Sequence, residues 1–161
     1  MIQELLPQAQ RIAARLRERG ETVAVAESST GGIISAALLA VAGASAYFMG
    51  GAVVYTRQSR RALLDIPEEA LAGIRPSTED YALLFARAVR QSMGTTWALG
   101  ETGATGPTGN RYGDAAGHSC IALVGPSDEK AITVETRNDD RVDNMRAFTV
   151  AALNLLEKSL G

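Results

Sequence analysis

The chain has 161 residues, 46% of them hydrophobic and 21% charged, with a formal net charge of -2. This is the makeup of one globular domain large enough to bury a core. The near-neutral balance gives no electrostatic reason to bind nucleic acid or an anionic membrane, and no run of about 18 apolar residues suggests a membrane span. The single cysteine, Cys120, excludes an internal disulfide, and with the single histidine, His118, it is too few for a Cys/His zinc site. Carboxylate-bound magnesium stays open on this count, and no cofactor is called for. Residues 1–20 lack the layout of a secretory signal, so a cytoplasmic address is expected.

In chain order, residues 2–19 place Ile2, Leu5, Leu6, Ala9, Ile12, Ala13 and Leu16 on one helical stripe, and Gly20 is a natural stop. The opposite basic face, with Arg11, Arg15, Arg17 and Arg19, reads as solvated surface. The apolar run at 22–26 predicts a buried strand, followed by the polar turn Glu27-Ser28-Ser29-Thr30 and a helix from about Gly31 to Val41. A second strand is expected over Gly50–Tyr55, then a short helix over Thr56–Leu64, and a fresh helix start at Pro67 with acids behind it. Ser77-Thr78-Glu79-Asp80 predicts a capping box opening a helix to Met93, and Thr95–Gly100 a third strand. Residues 102–113 hold four glycines and read as irregular backbone. Gly117–Val124 and Lys130–Thr136 form a predicted hairpin. The last helix starts near Asn138-Asp139-Asp140 and buries Val142, Met145, Thr149, Ala152, Leu153 and Leu156.

Helices and strands alternate for the first hundred residues and a hairpin follows. That order predicts an α/β fold: a single three-layer α/β/α domain over 1–161, with a mixed, mostly parallel sheet of about five strands carrying one antiparallel strand. Ligands gather at the carboxyl ends of the parallel strands in such a sheet. The serine turn, the segment after Tyr55 and the glycine-rich run all follow predicted strands, so they can line one cleft.

Two readings of each segment stand side by side. Ser28, Ser29 and Thr30 either cap a helix or present a serine nucleophile beside oxyanion donors. The glycines of the later run either admit a phosphate to backbone N–H groups or serve turn geometry.

The motifs A-E-S-S-T-G-G, G-A-S-A-Y-F followed by G-G-A-V-V-Y-T, and G-A-T-G-P-T-G together resemble the C-terminal domain of the CinA (competence-damage-inducible) family, over nearly the whole chain. Members of that family include nicotinamide mononucleotide deamidases, which hydrolyse the nucleotide carboxamide to the acid and ammonia. The resemblance implies an amidohydrolase-type domain, with a nucleotide-like small molecule as ligand and a homo-oligomer using an apolar face around Ala42–Phe48. It makes Ser28 the nucleophile and Tyr55 its partner. Glu27, Ser29, Thr30, Gly31, Gly32, Gly103, Thr105, Gly106, Gly109 and Arg141 fall to substrate binding, Arg141 at a position similar to the family's G-D-R motif.

The family carries a lysine base five residues after the tyrosine, where this chain has Arg60. A second family lysine, in K-P-V-G, is replaced within Asp114-Ala115-Ala116-Gly117. Guanidinium stays charged, with a pKa above about 12, and is a poor general base. Three explanations are open. Tyr55, Asp114 or His118 could serve as base instead; the substrate and chemistry could differ; or the chain could be a non-hydrolytic pyridine-nucleotide-binding or regulatory relative. Each of the three side chains also has a plain reading: a packed aromatic, a backbone cap and a hydrogen-bonded structural residue. Cys120 reads as a small core residue.

Overall fold

The computed structural model describes all 161 residues. In chain order the elements are α1 (Ile2–Arg19), β1 (Val23–Glu27), α2 (Ile33–Leu39), a short 3-10 turn (Ala44–Ala46), β2 (Phe48–Val53), α3 (Arg57–Leu64), α4 (Glu68–Leu71), α5 (Glu79–Met93), β3 (Trp97–Ala104), β4 (His118–Val124), β5 (Glu129–Glu135) and α6 (Arg141–Leu160). The five strands form one sheet in the order β2-β1-β3-β4-β5. β1 runs parallel to β2 and β3, and β4 is antiparallel to both of its neighbours. The expected single antiparallel strand is therefore β4.

Alternation along the strands sorts side chains between two cores. Val23, Val25, Trp97, Leu99, Ile121 and Leu123 face α1, α2 and α6, while Ala24, Ala26, Ala98, Cys120, Ala122 and Val124 face α5 with Leu64 of α3. The second face is lined by small residues because α5 lies close against the sheet. At Gly100 a Cβ would fall 2.1 Å from the Ala82 carbonyl oxygen, so only glycine fits.

Element ends follow local chemistry. α1 stops at Gly20 in the left-handed region (φ 62). Thr56 and Ser59 form a reciprocal capping box at α3, and Asp140 caps α6. Several expectations need correction. α5 is capped by Thr78, not Ser77, whose φ is 59 and whose side chain is buried. β3 continues to Ala104, past the predicted end at Gly100, because β4 pairs with it as far as Ala104↔His118. Val142 is exposed, and α6 instead buries Asn144 and Phe148. The basic face of α1 is exposed as expected at Arg11, Arg17 and Arg19, with Arg11 also pairing with Glu157 at 2.7 Å; only Arg15 is half-buried, donating to the Glu157 carbonyl. In 42–48, Ala44 and Tyr47 are buried in the chain's own core and Phe48 packs against it, while Ala42 and Ala46 are exposed. No helix is long and apolar enough to cross a membrane.

Candidate functional site

The carboxyl ends of β1 and β3 carry two glutamates, Glu27 and Glu101, both wholly buried. Strand alternation puts both on the α1/α2/α6 side, directly beneath the serine turn. Glu27 accepts from the N–H groups of Ile34 (3.1 Å) and Ser35 (2.9 Å) and from the Ser35 hydroxyl (2.6 Å). The first turn of α2 is thus already occupied by the chain's own carboxylate, the charge its dipole favours. Glu101 accepts from the Ser28 and Thr30 N–H groups, each at 3.0 Å, and from the hydroxyls of Ser29 and Ser119.

The Thr30 hydroxyl lies 2.7 Å from Glu27 and 3.0 Å from Glu101. It has one proton for two carboxyl groups, so both contacts are complete only when one of the carboxyls carries a proton. Burial pushes the Glu101 carboxyl above its usual range, an effect that its hydrogen bonds to Ser29, Thr30, Ser28 and Ser119 only partly offset.

On the opposite side of the same strand ends, Ser28, Thr102 and Ser77 border a cleft of about 530 Å³. Thirteen residues line it, among them Arg57, Arg60 and Arg111, and none is acidic. The Ser28 hydroxyl makes no hydrogen bond within the chain, so it is free for a ligand. Tyr55, 57% exposed, stands on the rim, its hydroxyl 3.5 Å from the Arg141 guanidinium. Arg60 is held by the Tyr81 hydroxyl, with its guanidinium carbon 5.1 Å from the Tyr81 ring centre and 5.8 Å from that of Phe85. Its Nε is buried without a partner.

Of the residues predicted for the site, the cleft brings together Ser28, Tyr55, Arg60 and Gly103. The rest lie behind it or beside it. Glu27, Ser29 and Thr30 belong to the buried carboxyl network. Gly31 and Gly32 have φ of 65 and 99, and a Cβ on Gly31 would fall 2.8 Å from the Met145 methyl. Gly106 and Gly109 lack room for a Cβ against the backbone of Asp139 and Asp114. Thr105 is buried, and its carbonyl accepts from Asn144. Arg141 donates to the Gly106 carbonyl at 2.6 Å and so ties the glycine-rich loop to the Tyr55 rim. No group of three or more His, Cys, Asp or Glu side chains is placed to hold a metal ion.

Two of the alternative bases sit outside the cleft. Asp114 pairs with Arg75 at 2.7 Å and with Asn110 at 2.8 Å; although burial raises its carboxyl, these partners bring it below the usual range. His118 is 7% exposed, with Nδ1 on Glu135 and Nε2 2.8 Å from the Ser77 carbonyl. Both ring nitrogens face acceptors, which suits the doubly protonated ring. Burial lowers the His118 pKa, but Glu135, the Ser77 carbonyl and Asp114 outweigh it, and the net shift is upward. A group whose folded pKa is raised lends stability below its unfolded value, about 6.5 for histidine, and loses it as pH rises through the folded value. Denaturation midpoints are therefore expected to fall between pH 6 and 9 in the parent, and to fall less in His118→Gln.

Sequence reasoning missed Glu101 and the remaining cleft wall. Arg57 and Gln58 come just after Tyr55, in T-R-Q-S-R-R, and Asn110, Arg111 and Tyr112 interrupt the glycine run. Two basic segments after two strand ends were the available signal.

Residues 6–160 match the family model described as the CinA C-terminal domain. The chain belongs to the CinA C-terminal domain family. It is 39% identical over 150 residues to a CinA-like protein of Anaeromyxobacter sp. (strain K), covering 92% of this chain and 36% of that protein. It is 38% identical over 154 residues to one from Citrifermentans bemidjiense, covering 93% and 36%. The chain thus spans little more than a third of the length of these curated relatives. Among solved structures it resembles a competence-damaged protein (CinA) superfamily protein from Klebsiella pneumoniae, with TM-score 0.90, 25% identity and 97% of each chain covered. A competence/damage inducible protein from Agrobacterium tumefaciens has TM-score 0.88 and 27% identity, covering 97% of this chain and 94% of that one. This CinA-family sheet carries a cleft at its strand ends with Arg57, Arg60 and Arg111 on its wall.

Proposed function

We propose that the domain is a serine amidohydrolase acting on a phosphorylated, amide-bearing nucleotide, with nicotinamide mononucleotide the substrate that its CinA-family resemblance implies. The observation that carries this reading is the unpaired Ser28 hydroxyl in a cleft lined by three arginines and no carboxylate. Arg57, Arg60 and Arg111 hold the phosphate, since guanidinium suits phosphate oxygens. Ser28 Oγ forms a bond to the amide carbon as the phenol of Tyr55, on the cleft wall, takes up the serine proton and gives its own to the amide nitrogen. The carbon–nitrogen bond breaks, ammonia leaves with that proton, and water cleaves the ester to the free acid and restores Ser28. In the turn, the N–H groups of Ser28 and Thr30 are held by Glu101, and that of Gly31 by the Ser28 carbonyl. This leaves the Ser29 and Gly32 amides for the developing oxyanion.

A second reading, a binding protein without turnover, draws on Arg60, which stands where the resemblance implies a lysine base, since a guanidinium is a poor general base. Ammonia release from nicotinamide mononucleotide, assayed for the parent and Ser28→Ala, separates the two. Turnover in the parent that drops at least a thousandfold in Ser28→Ala is expected. Ligand binding without turnover in the parent gives the second reading, and turnover that survives in Ser28→Ala removes the serine from the chemistry.

A further inference from the structure

A second cavity, of about 470 Å³, adjoins the serine cleft. Arg57, Gln58, Arg60 and Pro76 border both, so the two are lobes of one groove divided by arginine side chains. The lobes differ in chemistry. The serine lobe is polar, with Ser28, Ser77, Thr102 and Asn110 on its walls. The second has an apolar floor of Ile66, Leu71, Ile74 and Tyr81, with Arg61 and Glu68 on its rim.

Clefts that hold drug-sized ligands span roughly 300–1000 Å³. Each lobe here is of a size for one nucleotide, and the pair for two. Arg60 stands at the boundary and borders both lobes, and guanidinium suits phosphate oxygens. Free phosphate would leave the apolar floor empty, and a mononucleotide would fill one lobe and leave the other to water.

We infer that the groove takes a dinucleotide, with the amide-bearing half in the serine lobe, the diphosphate across Arg57 and Arg60, and a purine base on the apolar floor. The inference rests on the proposed reading of the serine lobe as a nucleotide site and enlarges its substrate class. The flat base covers Ile66, Leu71 and Ile74, and its exocyclic amine faces the Glu68 carboxylate, an acceptor. A diphosphate carries two groups for the arginines at the boundary, where a monophosphate carries one.

The test is calorimetric titration of the whole chain with three probes: nicotinamide mononucleotide, nicotinamide adenine dinucleotide and adenosine monophosphate. Each is repeated on Ala72→Trp. Ala72 is exposed at the edge of the second lobe and outside the serine cleft, so the indole fills that lobe without entering the core. The dinucleotide is expected to bind at least tenfold tighter than the mononucleotide. Adenosine monophosphate is expected to bind on its own. Ala72→Trp should erase both effects and change mononucleotide affinity less than twofold.

If the mononucleotide binds while the dinucleotide gains nothing and adenosine monophosphate does not bind, the inference is overturned and the serine-lobe reading stands. If only the adenine-bearing probes bind, and Ala72→Trp removes that binding, the second lobe is supported and the serine-lobe reading falls. If none of the three binds, both are overturned.

Discussion

Glu101→Ala is expected to lower the stability of the domain by about 3–5 kcal/mol, the range for breaking a buried charged network. The carboxyl group holds the Ser28 and Thr30 N–H groups and three hydroxyls, and it is wholly buried. Alanine leaves the Ser28 and Thr30 N–H groups and the Ser29 hydroxyl facing a cavity, while the Thr30 hydroxyl keeps Glu27 and the Ser119 hydroxyl keeps the Thr102 carbonyl; each buried donor without a partner costs on the order of 1–3 kcal/mol. The same change frees the turn that presents Ser28, so any serine chemistry should fail with it. Glu101→Gln is the informative control. Its amide oxygen can keep the two backbone N–H groups, and the Ser29 and Ser119 hydroxyls can rotate to accept from its NH2. It also removes a titration. Burial raises the Glu101 pKa in the folded state, so the native protein binds that proton more tightly than the unfolded chain. Stability is then highest below the ordinary glutamate pKa, about 4.3, and falls as pH rises through the folded value. Urea midpoints across pH 4–8 should show that fall in the parent and a flatter profile in Glu101→Gln. A Glu101→Ala loss under about 0.5 kcal/mol, the size of an ordinary surface substitution, would refute the account.

The layering was legible because its signals are local and repeated. The stripe Leu5, Ala9, Ile12, Ala13, Leu16 lies in one core as its spacing requires. The short apolar runs became strands within a few residues of their expected ends. Errors fell where a pairing partner set the boundary. Nothing within W-A-L-G-E-T-G-A announces that β4 will carry the ladder past Gly100. Ser77 and Thr78 are both acceptable caps, and the choice between them was made by tertiary contacts: the Ser77 carbonyl accepts from His118 Nε2, and its N–H bonds Thr102 at 3.3 Å.

The motifs placed some of the candidate site residues together, and the structure divides the others among neighbouring roles. Ser28, Tyr55 and Arg60 do share a cleft. The glycines, however, mostly let backbone and neighbouring side chains approach one another: at Gly103 a Cβ would fall 2.5 Å from the His118 carbonyl oxygen. Glu101 falls just past the expected strand end at Gly100, where no pattern marks it as inward-facing. Its burial depends on alternation in a strand whose true end was not visible. One residue further on, Thr102 faces the cleft, so the step from Glu101 to Thr102 separates the support beneath the serine turn from the wall of the site.

Arg60→Lys is expected to raise kcat for ammonia release at least tenfold at pH 8 while raising KM several-fold. A side chain that can take up a proton contributes about 10²–10⁴-fold as a general base, and guanidinium cannot do this near neutrality. A lysine here would sit by the Tyr81 and Phe85 rings that now flank the guanidinium, and desolvation lowers a lysine pKa toward the working range. The cost is in binding. Lysine presents a point charge where arginine presents a planar fork, and Arg60 is one of only three cations in the cleft. The two parameters should therefore move in opposite senses, a split that a merely structural substitution would not give. The kcat gain should also grow with pH as the ammonium loses its proton. A variant whose kcat is unchanged, with KM alone raised, would mean that lysine adds nothing to proton transfer by Tyr55 and that position 60 only binds. Tyr55→Phe in the parent would then abolish turnover.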